Sequence, residues 1–142
     1  ATFMRESLRR SPNDPELLLG AFKASLASGD LDESVSLANR ILIVDPAHTL
    51  ARFVVGVRAM RVGRCDEARR DFARASKGPL ELPSVALTAW CLLAEGSADQ
   101  ALETLDRLSD ERVGRFRDYH AALIAEARGY TYEARKRLRG LY

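Results

Sequence analysis

The side chains with the means to do chemistry are few. His48, His120, Cys65 and Cys91 are the only histidines and cysteines in 142 residues. A metal centre needs clustered ligands at short, defined spacings, and neither histidine has such company. His48 follows Asp45-Pro46-Ala47 and reads as a surface residue in a turn, while His120 reads as a residue on a helix face. A Cys–His nucleophile needs a base beside the sulfur, and the spacing offers none. Buried cysteine behaves as a small hydrophobe, so Cys65 and Cys91 are expected to be reduced and packed, with a disulfide as the alternative in an oxidising compartment. Gly56 to Gly63 lacks the Lys-Ser/Thr that must follow a phosphate-cradling loop. No catalysis, cofactor or metal is expected.

One charge cluster breaks an otherwise even balance. Twenty-two Lys plus Arg stand against twenty Asp plus Glu, which predicts no electrostatic sink for nucleic acid. From Asp110 onward the count is 8 basic to 5 acidic, through Arg112, Arg115, Arg117, Arg135, Lys136, Arg137 and Arg139. Such runs are usually solvated helix faces, and aromatic interleaving on the same face, as a nucleic-acid groove requires, is absent. The longest uncharged run, Leu82 to Ala94, is 13 residues, short of the ~18 that a membrane span requires. Arginine outnumbers lysine 19 to 3, which points to a GC-rich bacterial coding sequence. The choice between cytoplasm and periplasm is left open.

The elements that must position these residues follow from a period. Glycines fall at Gly29, Gly63, Gly96 and Gly129, spaced by 34, 33 and 33 residues, and a fixed period is the mark of a repeat architecture. Eight residues before each stand Ala21, Val55, Thr88 and Ala121, and seven before, Phe22, Gly56, Ala89 and Ala122. Five after stand Ser34, Ala68, Ala101 and Ala134; nine after, Ala38, Phe72, Leu105 and Leu138; twelve after, Ile41, Ala75, Leu108 and Leu141. Offsets of +5, +9 and +12 share one helical face. Each unit thus reads as helix A, a glycine turn with φ > 0, and an antiparallel helix B. Asp14-Pro15-Glu16 is a helix start. Asp30 with Glu33, and Ser97 with Gln100, have capping-box spacing.

This pattern resembles the tetratricopeptide repeat (TPR) family, whose units are helix–turn–helix hairpins of about 34 residues. The second unit carries the resemblance best, with Val55-Gly56, Ala59, Gly63, Asp66-Glu67-Ala68, Phe72 and Ala75. The first supplies Gly29-Asp30-Leu31-Asp32-Glu33 and closes on Asp45-Pro46. The third keeps Gly96 with Ala101, and the fourth Gly129 with Glu133-Ala134. The family's early tryptophan is replaced by Leu18, Arg52, Val85 and Asp118. The resemblance implies an all-α, right-handed α-solenoid. Residues 1–14 are assigned to the last helix of a preceding repeat and its turn, 15–48 to the first unit, 49–81 to the second, 82–114 to the third and 115–142 to the fourth, truncated in its helix B. The chain is expected to continue beyond its ends or to pair there with another copy, because terminal repeats need a polar outer face.

In the family, successive A helices line a concave surface that holds a peptide or helix. The resemblance implies groove-facing positions 13, 10, 6 and 3 residues before each glycine. The binding set is therefore Leu19 and Lys23 in the first unit, Phe53, Val57 and Met60 in the second, Ala86, Trp90 and Leu93 in the third, and Tyr119 and Leu123 in the fourth. Charged residues on this face, Glu16, Lys23 and Glu126, fall in the outer units, so the centre is expected to be a continuous apolar wall. That argues against the family's carboxylate-clamp mode, which grips acidic tails with basic and Asn residues. The expected function is a non-catalytic scaffold or adaptor that binds an apolar helical or extended segment of a protein partner. The alternatives are an array that self-associates as a homodimer through its apolar faces, and an auxiliary domain of a larger protein. Neither nucleic acid nor membrane insertion is expected.

Overall fold

A computed structural model describes residues 2–141, and within them the chain forms nine α-helices and no strand. They are α1 (Thr2–Arg10), α2 (Pro15–Ser28), α3 (Leu31–Val44), α4 (Thr49–Arg61), α5 (Cys65–Ala75), α6 (Glu81–Ala94), α7 (Ala98–Asp106), α8 (Gly114–Arg128) and α9 (Thr131–Arg139). Helices α2, α4, α6 and α8 are the A helices, and α3, α5, α7 and α9 the B helices. Short 3-10 turns, Gly78–Leu80 and Glu111–Val113, lead into α6 and α8. Each helix packs against its neighbours in sequence, and α6 also meets α8. This is the nearest-neighbour packing of a solenoid.

Local chemistry sets the ends of the hairpins. The four periodic glycines all adopt positive φ, from 76° at Gly29 to 85° at Gly129. A Cβ on any of them would meet nothing within 4 Å, so conformation rather than crowding selects glycine there. The Asp14 carboxylate accepts from the Glu16 and Leu17 N–H groups at 2.9 and 3.1 Å, and Asp30 accepts from Glu33 N–H at 3.0 Å. Ser97 departs from expectation. Its ψ of 58°, against 116° at Asp14, leaves it without a side-chain bond to α7. Helix α9 stops at Arg139, which leaves Leu141 in a turn rather than on a helical face. The expected place of Tyr142 inside that helix lies outside the described residues.

The core sits within and between the hairpins. Ser34, Ala68, Ala101 and Ala134 are all buried, and these small residues let helix B come close to helix A. Ser34 is polar where the others are alanine, and its hydroxyl is fully used: it lies 2.9 Å from Ser25 Oγ and donates to Asp30 O at 2.6 Å. The pair seven before and nine after the glycine exchanges bulk between repeats. Phe22 stands with Ala38 in the first and Gly56 with Phe72 in the second, and both phenyl rings are completely buried. Close packing leaves room for one large side chain per pair. Ion pairs such as Arg5–Glu33 at 2.8 Å and Arg69–Glu95 at 2.9 Å cross between helices outside this core. Exposed pairs of that kind contribute little.

Candidate functional site

The residues singled out for the inner face differ in how much surface they offer. Leu19 lines an apolar cavity of about 200 Å³ with Pro15, Ile41, Val44 and His48, and Lys23 is exposed. Phe53, Val57 and Met60 are half-buried and lean on a cluster formed by Ala59, Ala68, Phe72 and Cys91. The Phe53 ring lies 5.7 Å from that of Phe72 on its own hairpin. Ala86 is only 4% exposed and presents almost no surface. Trp90 and Leu93 are half-buried against Ala89, Leu92, Leu105 and Ile124. Tyr119 at 52% and Leu123 at 40% are open to solvent. The middle of the wall is thus largely engaged in packing, and its freest apolar surface lies on α8.

Trp90 joins two repeats. Its indole Nε1–H on α6 donates to His120 Nδ1 on α8 at 3.0 Å. His120 is boxed by aromatic rings, with centroids at 4.6 Å for Phe116, 5.7 Å for Tyr119 and 6.3 Å for Trp90. Nδ1 must be unprotonated to accept, so the imidazole is neutral with its proton on Nε2. Burial holds the His120 pKa below its ordinary value, consistent with that tautomer. Sequence reasoning left His120 out of the inner wall because it stands nine residues before its glycine. The available signal was Phe116, which shares its helical face at i, i+4.

His48 is not a surface residue. It is half-buried as the N-cap of α4, where Nδ1 accepts from Ala51 N–H at 3.2 Å and the ring meets Phe22 edge-on at 6.4 Å. The turn before α4 is short, and imidazole substitutes there for the usual capping oxygen.

The basic C-terminal cluster divides into three paired arginines and four exposed cations. Arg137 binds Asp106 at 2.7 Å, Glu133 at 3.0 Å and Asp118 at 3.2 Å, which raises its pKa further. Arg117 pairs with Asp118 and donates to Leu108 O at 2.8 Å, and Arg112 pairs with Asp110. Arg115, Arg135, Lys136 and Arg139 are exposed. Among the described residues, no group of three or more His, Cys, Asp or Glu is placed to hold a metal ion. No helix among them is long and apolar enough to cross a membrane.

This geometry is an α-solenoid with the tetratricopeptide-repeat fold. The chain is similar to a crystal structure of MamA, with a TM-score of 0.78 and 18% identity over 96% of this chain and 81% of that one. MamA residues 41 to the end from Desulfovibrio magneticus RS-1 give a TM-score of 0.78 and 15% identity, over 99% of this chain and 80% of that one. YrrB, described as a TPR protein with an unusual peptide-binding site, gives a TM-score of 0.70 and 14% identity, over 97% of this chain and 72% of that one. At these identities the likeness is one of fold. No family model and no curated protein matches the sequence.

Proposed function

We propose that this chain is a non-catalytic protein-interaction module whose A-helix face takes up an apolar or amphipathic segment of a partner. The observation that carries this reading is the α6–α8 junction. There Trp90 and His120 fix an aromatic floor, and Tyr119 and Leu123 stand exposed on α8. Burying a fully exposed Leu side chain is worth about 1.5–3 kcal/mol before ordering costs, of which Leu123, 40% exposed, offers a partner only a part, and a tyrosine adds rigid contact area. Half-buried Phe53, Val57, Met60 and Leu93, with Leu19 and Lys23 at the far end, extend the proposed contact. Ala86 serves it as packing. The peptide-binding site named for YrrB supports this use of the fold.

The test uses the single tryptophan as its reporter. A displayed library of amphipathic peptides is panned against the chain, and binders are titrated by Trp90 emission. Leu123→Asp should weaken binding by roughly tenfold or more, since a charge there faces an apolar partner. Binders that are acidic tails, or that tolerate Leu123→Asp and Tyr119→Ala together, would contradict the proposal.

A further inference from the structure

We propose that Cys65 and Cys91 form a reversible intrachain disulfide that ties the second repeat to the third. This goes beyond the binding role and is independent of what the inner face holds. The chain has two cysteines only. One opens α5 and the other lies late in α6, the next helix in the stack, and both belong to the same apolar cluster around Ala59, Ala68 and Phe72. Cys91 is completely buried, whereas Cys65 is half-exposed at the edge. Only Cys65 is therefore within reach of a reagent in solution, and it packs against the cluster that holds the second thiol.

Burial first, and then the adjacent Cys65 thiol, push the Cys91 thiol well above its ordinary range. Glu95, which caps the C-terminus of α6, and Arg69 on α5, the charged groups that act on it, are paired with each other at 2.9 Å. Cys91 is thus a poor attacker of free reagents and a protected second partner.

The oxidant is a low-molecular-weight disulfide. The Cys65 thiolate attacks one of its sulfurs, the reagent's S–S bond breaks, and one small thiol leaves. Cys91 then gives up its proton and attacks the Cys65 sulfur, releasing the second small thiol. Two protein S–H bonds become one S–S bond, and both protons and both electrons end on the two small thiols. The second step is the slower, because Cys91 must ionise inside an apolar cluster.

The test treats the folded chain with glutathione disulfide and follows intact mass and titratable thiols. The expected course is a transient glutathione adduct. It gives way to a monomer lighter than the reduced chain by two hydrogens, with no free thiol, reversed by dithiothreitol. Cys91→Ser should stop at the adduct, and Cys65→Ser should leave Cys91 unmodified. A wild-type chain that ends as a stable adduct, as a disulfide-linked dimer, or with both thiols free overturns the proposal. The wild-type mass decides even where a variant does not fold.

Discussion

Arg52 on α4 reaches across its hairpin to Asp71 on α5 at 3.3 Å. Two repeats later the equivalent positions hold the same pair reversed, with Asp118 on α8 and Arg137 on α9 at 3.2 Å. In the first repeat these positions are Leu18 and Leu37, both core residues, and in the third Val85 and Thr104. The A-helix member of each pair stands where the resembled family carries its tryptophan. A site that elsewhere holds a large apolar side chain is filled here by ions, and each ion has its counter-charge on the facing helix.

The two ion pairs differ in how well they are compensated. Burial raises the Asp71 pKa, and Arg52 offsets this only in part. Asp118 is also penalised by burial, but hydrogen bonds from Arg117 and Arg137 outweigh it and hold its carboxyl below the usual range.

The first prediction is that Arg52→Leu with Asp71→Leu, the arrangement of the first repeat, leaves stability unchanged or raises it by about 1–4 kcal/mol. Asp71→Leu alone should cost about 3 kcal/mol, because it strands a mostly buried guanidinium. Urea unfolding of the two variants distinguishes these outcomes. A double variant as damaged as the single one contradicts the argument.

Gly56 is glycine for space. A Cβ there would lie 2.8 Å from Phe72 Cε1 and 3.2 Å from Asp71 Cβ, and the Phe72 ring, fully buried, has nowhere to go. Overpacking costs about 1–3 kcal/mol, against the ~1 kcal/mol that alanine gains in a helix interior. Gly56→Ala should therefore lower stability, and Gly56→Ala with Phe72→Leu should recover part of the loss. Thermal unfolding of both variants measures it.

Trp90 reports on His120. Neutral imidazole accepts the indole N–H, whereas protonation sets one N–H against another. Burial lowers the folded-state pKa of His120 below its ordinary value of 6.5, so this contact contributes its full stability above 6.5. The contribution is lost as pH falls through the depressed folded value. Trp90 emission should titrate with a midpoint below 6.5, and His120→Phe should remove the transition. A midpoint at or above 6.5 contradicts the assignment.

The fold was legible because its signal is periodic. Glycine at four equivalent turns, small residues five positions later and bulky ones at nine and twelve identify stacked hairpins without reference to any partner. What the chain did not reveal was lateral packing. A helix-face position states which side of a helix a residue occupies, not whether a neighbour leans over it. The groove register puts Phe53 on the inner wall without saying that its ring rests beside Phe72, and nothing local in the sequence links His120 to Trp90, 30 positions earlier. Ser97 had the spacing of a cap without its backbone angle. The charge run of the last third reads as a solvated face, which Arg115, Arg135, Lys136 and Arg139 are, whereas Asp106, Asp118 and Glu133 fold around Arg137.

The central claim is that the A-helix face is the binding surface. Hydrogen exchange of the chain with and without a selected amphipathic peptide tests it most directly. The account predicts new protection in α6 and α8, extending to α4, with α3, α5, α7 and α9 unchanged. Protection concentrated on the B helices, with α8 unaffected, would contradict it.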